Sequence, residues 1–522
     1  MFCNKVLLAL LIIFVFRIEF NETKHTECLQ KSYGKNKLVC VCNAQQCDTI
    51  EPIEYKDGKF LIYTTSKSGL RLKRSYGDVE KLAQSGNDED DEYLVELLPD
   101  IKMQQIVGWG GAFTDSTGIN IKSLSEDVQD KLLQSYFAAD GIEYNIGRVP
   151  IAGTDFSTRA YAYNEVPGDI QLKNFNLTKE DFVYKIPLIK KAIALRDGLK
   201  FMASAWSAPA WMKTNNALTG LGFLKDELYQ TWANYHKKFL DMYKEKGIDF
   251  WAITTGNEPV NGLLPVQVFN SMGWTPGTVS KWIAENLGPI INESQHSNVK
   301  IFALDDQRYF LPWWIDIVFE STLTKDYVSG IGVHWYGDGY TPISLLDSTN
   351  EKYPDKLLLY TEACIGSHFW EKKVDLGSWS RGETYLQSII ETVNHWVTGW
   401  IDWNLALDEQ GGPNWVQNYV DSPIIVNKTG NEFYKQPMFY AMGHVSKFIP
   451  SNSFRIGNRA KLPRNLFVLT VERPAEQRYV VVILNKNNND YNIKFKYRNS
   501  TDVPSKYATV LIEKYSMSTL IF

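Results

Sequence analysis

Eight short apolar runs recur between residues 102 and 407, and each ends in polar or aromatic residues before a stretch with helical periodicity. A strand followed by a helix, repeated eight times within about 300 residues, predicts an α/β protein built on a closed parallel (β/α)8 barrel, or TIM barrel. An open doubly wound sheet is the alternative, but no phosphate-binding loop with dinucleotide spacing follows the first run. In chain order the runs are "QQIVGWGGAFTD", "EYNIGRVPIAGTDF", "KFMASAWSAP", "FWAITTGNEP", "VKIFALDD", "VSGIGVHWY", "KLLLYTEACIG" and "GWIDWNLAL".

The regions on both sides of this barrel have β-rich patterns without helical periodicity. "KFLIYTTS" and "DEYLVELLP" precede it, and "NLFVLTVERP", "RYVVVILNK", "YNIKFKY" and "YATVLIEKYS" follow it. Strands at both ends of a chain predict a β-sandwich (Ig-like) assembled from the two termini. We expect the sandwich to comprise residues 52–99 and 453–522, and the barrel to comprise residues 100–404 and 437–452. The acidic stretch 87–92 is interpreted as a solvated turn.

Four cysteines crowd into one short segment near the N-terminus: Cys28, Cys40, Cys42 and Cys47. In an oxidising compartment, this spacing predicts two disulfides that stabilise a small module. A zinc site is the alternative, but no histidine pair accompanies the cluster. We expect an antiparallel β module formed by residues 24–51 and 405–436. Cys364 is left over and is predicted to be a free, buried thiol.

The N-terminus has the pattern of a secretory signal peptide. Lys5 supplies a positive charge, and the apolar stretch 6–16 is too short to span a bilayer. We expect residues 1–23 to be removed, and no later window resembles a transmembrane helix. The sequence also contains glycosylation sequons at Asn21, Asn176, Asn292, Asn427 and Asn499, as a secreted glycoprotein would.

The composition excludes one class of partner and suggests another. The net charge of −5 gives no indication of nucleic-acid binding. The chain contains 16 tryptophans and 28 tyrosines among its 522 residues. An aromatic surplus is typical of a bulky core, although flat aromatic faces also pack well on sugar rings.

Two glutamates stand at the ends of predicted barrel strands. Glu258 ends the fourth strand and Glu362 ends the seventh, and chemistry in such barrels takes place at the C-terminal ends of the strands. A single strand-end glutamate is more often an ion-pair partner than a catalyst. Two of them, surrounded by tryptophans and without a cysteine or histidine cage, indicate glycoside hydrolysis without metal or cofactor.

Neighbouring residues suggest which of the two carboxyl groups is ionised and which is protonated. Asn257 could hold the 2-hydroxyl of a sugar. Arg148 ends the second strand and could keep Glu362 ionised, although a structural salt bridge is the alternative. An ionised Glu362 would then favour the protonated form of Glu258.

Four further residues could support this site. His334 and Tyr336 finish the sixth strand, and either could hydrogen-bond to a carboxylate. Trp206 and Trp403 could pack on the sugar or donate an indole N–H. The alternative for the histidine and for both tryptophans is a place in the protein core.

Several long motifs resemble the glucosylceramidases, the acid β-glucosidases of glycoside hydrolase family 30. These are "GNEP", "HWYG", "YTEACIGS", "GWIDWNLALDEQGGPNWVQN", "DSPIIV" and "YKQPMFYAMGHVSKFIP", together with the cysteine-rich start. The resemblance covers essentially the whole mature chain. It implies Glu258 as acid/base, Glu362 as nucleophile, and the disulfides Cys28–Cys40 and Cys42–Cys47. It also implies that glucose is held by Asp155, Trp206, Asn257, Trp403 and Asn418.

The resemblance also implies a substrate and a location. A retaining enzyme of this family would cleave glucosylceramide in membranes, with a saposin-type activator and anionic lipid as partners. Its location would be the lysosomal lumen, with secretion as the alternative. Departures from the family pattern at Gly153-Thr154, Gly256 and Gln267 leave the aglycone open, so another β-glucoside or a β-xyloside stays a rival substrate. A catalytically silent sugar- or lipid-binding protein would need neither Glu258 nor Glu362.

Overall fold

The computed structural model describes residues 25–80, 92–498 and 505–522. The predicted signal peptide, all but the last residue of the acidic stretch, and the sequons at Asn21 and Asn499 lie outside these ranges. None of the helices in the described ranges is long and apolar enough to cross a membrane.

The strands, in chain order, are β1 (Leu29–Ser32), β2 (Leu38–Cys42), β3 (Lys59–Ser66), β4 (Lys73–Asp78), β5 (Leu94–Gln105), β6 (Gly108–Ala112), β7 (Ile146–Ile151), β8 (Lys200–Ala205), β9 (Ala252–Thr254), β10 (Lys300–Gln307), β11 (Val328–His334), β12 (Leu357–Glu362), β13 (Val397–Asn404), β14 (Leu407–Asp408), β15 (Ile424–Asn427), β16 (Glu432–Lys435), β17 (Phe454–Lys461), β18 (Leu466–Arg473), β19 (Arg478–Asn485), β20 (Tyr491–Tyr497), β21 (Lys506–Ile512) and β22 (Ser516–Ile521).

The α-helices are α1 (Asp115–Lys122), α2 (Glu126–Phe137), α3 (Ile186–Leu195), α4 (Tyr229–Glu245), α5 (Pro276–Trp282), α6 (Gly288–Asn292), α7 (Trp313–Val318), α8 (Thr322–Tyr327), α9 (Ser344–Lys352), α10 (Trp379–Asn394) and α11 (Pro437–Ser446). The longer helices are amphipathic, as helices covering a sheet must be. On α4, for example, Trp232, His236, Phe239 and Tyr243 follow one another at spacings of three or four residues and are all buried.

A closed parallel barrel forms the centre of the molecule and confirms the predicted fold. Its strand order is β10-β11-β12-β13-β6-β7-β8-β9, which returns to β10. Six apolar residues, each from a different strand, fill one compact cluster: Ile146, Met202, Ala252, Phe302, Leu359 and Ile401. The barrel is therefore a packed core, and its functional surface lies at the strand ends.

The two β-rich ends of the chain join in one nine-stranded mixed sheet. Its order is β21-β20-β5-β17-β18-β19-β22-β3-β4. The sheet folds over a core that includes Val95, Ile483 and Phe495. Its two edges approach where the N–H of Glu80 donates to the carbonyl of Tyr507. The sequence-based domain boundaries themselves remain a prediction.

The cysteine-rich segment forms the predicted small module. Strands β1 and β2 join β16, β15 and β14 in a five-stranded sheet, which is antiparallel as predicted except for the parallel pair β14 and β15. Both disulfides, Cys28–Cys40 and Cys42–Cys47, are present as the family resemblance implied. Cys364 is buried and belongs to neither disulfide. β14 follows the last barrel strand directly, and the loop from β14 to β15 lies at the barrel mouth, where Asn418 and Val420 line a cavity.

Candidate active site

The C-terminal ends of the barrel strands surround a cavity of about 480 Å³. Glu362 is the last residue of β12, as predicted. Glu258 lies beyond β9, which ends at Thr254, and Arg148 lies within β7, so neither is the strand-end residue that the sequence suggested. Eight of the residues singled out in the sequence line this cavity: Asp155, Trp206, Asn257, Glu258, Tyr336, Glu362, Trp403 and Asn418. The other two, Arg148 and His334, are fully buried beneath it.

Glu362 lies between a cation and a phenol. Arg148 donates to Oε2 of Glu362, and the hydroxyl of Tyr336 donates to Oε1 at 2.8 Å. Burial raises the pKa of Glu362, while the charges of His334 and Arg148 act to lower it. The donors therefore stabilise the ionised carboxylate against the cost of burial.

Arg148 extends from β7 and has no exposed surface. Its second terminal nitrogen donates to Oδ1 of Asn257 and to Oδ2 of Asp305, both at 2.8 Å. The guanidinium carbon lies 5.0 Å from the ring centroid of Trp206 and 5.5 Å from that of Trp403. The salt bridge expected as a structural alternative is thus part of the site itself.

Glu258 is oriented by its backbone and by three donors. Its φ of +43° is unusual for a glutamate, and its N–H donates to the carbonyl of Asp305 at 2.9 Å. His334 Nδ1 and Gln307 Nε2 each lie 2.9 Å from Oε1. The amide of Asn261 donates to Oε2. The side chain is 13% exposed, so one edge of it faces the cavity.

His334 connects the two acidic groups on either side of it. Nδ1 faces Glu258, while Nε2 lies 3.2 Å from Oδ1 of Asp305. Burial lowers the pKa of His334, but the charge of Glu362 and the hydrogen bonds to Asp305 and Glu258 outweigh it and raise the pKa from 6.5 to about 10. The ring is therefore a cation that donates from both nitrogens.

Asp305 is a central residue that the sequence interpretation missed. It accepts from Arg148, His334, Ser204 (2.7 Å) and Thr361 (2.6 Å). Against the opposing effect of burial, Arg148 and His334 hold the pKa of Asp305 far below its usual range. The acidic pair at the end of "VKIFALDD" could have identified Asp305 from the sequence, because carboxylates at strand ends converge on the barrel mouth.

The two glutamates are close together. One oxygen of Glu258, one nitrogen of His334 and one oxygen of Glu362 all lie within 4.8 Å of one another. Such a trio could in principle hold a metal ion. Here the residues do not fit one, because His334 is already a cation engaged at both nitrogens and Arg148 supplies a second positive charge to Glu362.

Asp155 marks another wall of the cavity. Its Oδ2 accepts from the amides of Asn414 and Asn418, each at 3.1 Å. Burial, and then the charge of Glu362, raises the pKa of Asp155 to about 7. Asn414 was not singled out in the sequence, because it lies in an irregular loop where periodicity gives no information.

Trp206 and Trp403 are packed in the protein core and also line the cavity. Trp206 and Trp403 stack with ring centroids 5.1 Å apart and an interplanar angle of 20°. Both are almost fully buried and both line the cavity. Phe269 lines it as well, and Gly256, one of the departures from the family pattern, has φ +134°, a conformation that favours glycine.

A parallel barrel with two adjacent carboxyls at its mouth, set among cations and tryptophans, defines a glycoside hydrolase. The model of the glycosyl hydrolase family 30 TIM-barrel domain matches residues 106–449, and the chain belongs to this family.

Known proteins extend this similarity over most of the chain. The lysosomal acid glucosylceramidase of Mus musculus is 45% identical over 470 residues, which cover 89% of this chain and 90% of the mouse protein. Putative glucosylceramidase 3 of Caenorhabditis elegans is 44% identical, covering 93% of both chains. Among solved structures, SrfJ from Salmonella typhimurium superposes with a TM-score of 0.80 at 26% identity, covering 89% of this chain and 99% of SrfJ.

Proposed function

We propose that the protein is a retaining β-glucosidase that hydrolyses glucosylceramide to glucose and ceramide. The observation that carries the mechanism is the approach of Glu258 and Glu362 oxygens to within 4.8 Å. Retaining glycosidases hold their two carboxyls about 5–5.5 Å apart, whereas inverting ones need about 6.5–9.5 Å to seat a water between them.

Glu362 is the proposed nucleophile. Its carboxylate receives Arg148 and Tyr336, which favour the ionised form that attack requires. In the first step an oxygen of Glu362 bonds to the anomeric carbon while the bond from that carbon to the leaving oxygen breaks. The product is a glucosyl ester of Glu362.

Glu258 is the proposed acid and base. Because Oε1 already accepts from His334 and Gln307, the transferable proton belongs on Oε2, beside Asn261. This proton passes to the leaving oxygen in the first step. In the second step Glu258 takes a proton from water, whose oxygen displaces Glu362 from the anomeric carbon.

The glucose is proposed to lie against Asp155, Asn418 and the two tryptophans, with Asn257 on the 2-hydroxyl. Asp155 and Asn418 meet at 3.1 Å and supply polar atoms that sugar hydroxyls can join. The stacked faces of Trp206 and Trp403 supply a flat apolar surface.

The leaving group is proposed to depart on the opposite half of the barrel. Asp155 follows β7 and Trp403 lies in β13, and these two strands flank β6. Across the ring, the loops after β9 to β12 carry exposed apolar side chains, among them the neighbouring aromatic residues Phe369 (90% exposed) and Trp370 (60%). The other members of this apolar rim are Leu264, Val266, Val268, Tyr309, Trp313 and Tyr340.

The apolar rim supports a substrate that is presented from a lipid surface, since exposed apolar patches of this kind mark interaction sites. A ceramide leaving group, an anionic lipid surface and a saposin-type activator are the partners that fit it. The name of the mouse relative supports the same substrate and a lysosomal location. The apolar rim supports an enzyme associated with the membrane on its lumenal side.

Nucleophile rescue tests the two roles. Glu362→Gly should abolish turnover, and added azide should restore cleavage with α-glucosyl azide as product. Glu258→Gly should still cleave an activated aryl glucoside, whose leaving group needs little protonation, and azide should give the β product. Exposed Glu293 provides the matched control, since Glu293→Gly should behave as wild type. If the two site variants gave each other's products, the assignment of roles would be wrong.

A substrate comparison tests the specificity. Purified protein should hydrolyse an aryl β-glucoside and glucosylceramide, with β-glucose released first. A higher kcat/KM on the aryl β-xyloside would favour the rival substrate, and binding without hydrolysis would favour the silent sugar- or lipid-binding protein.

A further inference from the structure

Asp306 occupies the strand that faces the proposed glucose subsite from across the mouth. In the barrel order, β10 lies four strands from β6 in either direction, so the two strands are diametrically opposite. Glucose is assigned to the half centred on β6. Asp306, near the C-terminal end of β10, therefore lies on the half through which the leaving group must pass.

The carboxyl of Asp306 lines the cavity although it is only 3% exposed. Oδ1 accepts the N–H of Gln307 at 2.8 Å, and Oδ2 accepts the N–H of Val260 at 3.2 Å. Each carboxyl oxygen can accept a second hydrogen bond, or carry the proton when the group is neutral. The carboxyl thus has unused hydrogen-bonding capacity directed at the cavity.

The adjacent carboxyl differs in its partners. Asp305 is ion-paired with Arg148 and His334. For Asp306, no salt bridge to a basic side chain is found within residues 25–80, 92–498 and 505–522. Burial, and then the charge of Glu258, raises the pKa of Asp306. A buried carboxyl without a cation is costly to the fold, so its position calls for a compensating role at the site.

Two neighbouring polar side chains on this wall are already engaged. Asn261 and Gln307 both donate to Glu258. The nearby side chains of Val260 and Leu264 are apolar, and they line the same cavity. A polar atom on a leaving group that enters along this wall would find its hydrogen-bond partner at Asp306.

We propose that Asp306 is a specificity-determining residue whose carboxyl hydrogen-bonds a hydroxyl or amide carried by the leaving group close to the glycosidic oxygen. This inference rests on the proposed function and extends it. The enzyme would select β-glucosides whose aglycone carries such a group over those with a plain alkyl chain. A site with a buried polar group rejects an analogue that cannot pair with it, here by roughly tenfold to a hundredfold.

A matched substrate pair tests the proposal. One β-glucoside carries an N-acylated amino alcohol and the other an n-alkyl chain of equal apolar length, both in the same detergent micelles. The ratio of their kcat/KM values is measured for wild type, Asp306→Leu and Asp306→Asn. Wild type should prefer the amide-bearing substrate at least tenfold, Asp306→Leu should bring the ratio close to one, and Asp306→Asn should retain part of the preference.

Asp338→Asn is the control, because Asp338 is also a largely shielded carboxyl (18% exposed) but pairs with Arg308 and Tyr360. Its ratio should equal that of wild type. A wild-type ratio near one, or a full preference in Asp306→Leu, overturns the inference while the proposed hydrolysis stands. A wild-type protein that cleaves neither glucoside overturns the proposed function instead. If Asp306→Leu does not fold, the wild-type ratio and Asp306→Asn still decide the question.

Discussion

Asp155→Asn tests whether the fold holds a neutral carboxyl at the proposed glucose subsite. Burial and the charge of Glu362 raise the pKa of Asp155 from 3.8 to about 7, although Asn414 and Asn418 act to lower it. Because the folded-state pKa lies above the unfolded-state value, the folded protein holds the extra proton between these two pH values. Stability should therefore fall as the pH rises through this window.

The size of the effect follows from the same two values. Raising a pKa from 3.8 to about 7 corresponds to about 4 kcal/mol of unfolding free energy, lost between acidic and mildly alkaline pH. Asparagine has nearly the same shape and does not ionise. We expect the unfolding free energy of wild type, measured in urea, to decrease between about pH 4 and pH 8. In Asp155→Asn this decrease should be smaller by up to about 4 kcal/mol.

Asp338→Asn separates the effect of carboxyl protonation on stability from the effect on sugar binding. Burial raises the pKa of Asp338 to about 7 as well, yet the side chain contacts Arg308 and Tyr360. Both variants should flatten the dependence of stability on pH, but only Asp155→Asn should weaken binding of a glucose-mimicking inhibitor. Full wild-type pH dependence in Asp155→Asn would show that Asp155 is ionised in the folded protein, and the reasoning would be refuted.

Three further predictions concern the ion network beneath the cavity, the free cysteine and the absence of a metal requirement. Arg148→Met should destabilise the fold by about 3–5 kcal/mol in urea unfolding, because Asp305 and Glu362 would lose their shared cation; a loss under about 1 kcal/mol would contradict this. Iodoacetamide should modify Cys364 only after unfolding, since the thiol is buried; rapid labelling of the folded protein would count against it. Chelation should leave hydrolysis unchanged, and a loss reversed by a divalent ion would disprove a metal-free site.

The barrel could be predicted because its units repeat along the sequence. Each apolar run was followed by a helical stretch, and alternation of this kind permits few architectures. The nine-stranded sheet was harder to predict, because β5 pairs with β17 and with β20, far apart in the chain. Such pairing depends on tertiary contacts that local patterns do not contain.

The site could be predicted where side-chain chemistry coincided with a strand end. Glu362 and His334 met that condition directly, Glu258 follows its strand after a short turn, and Arg148 lies inside β7, from which its side chain reaches the site. Asp305 met it too, but its sequence neighbour is another aspartate, and only the backbone distinguishes them. Positive φ at Leu304 and at Asp305 turns the chain so that one carboxyl reaches the ion network and the next faces the cavity.

The ionisable groups beneath the cavity differ from those on its wall in the pH range over which their charge changes. Beneath the cavity, the pKa of Asp305 is far below its usual range and that of His334 is about 10, so both keep their charges from acidic to neutral pH. On the cavity wall, the pKa values of Asp155 and Asp306 are raised, and these carboxyls gain charge over the same range. A rise in pH therefore adds negative charge around Glu362 without changing the cations that support it. Acidic conditions keep this wall neutral and favour the folded state, whereas the pKa of Glu362 is also raised by burial, so the nucleophile gains its charge only as the pH rises.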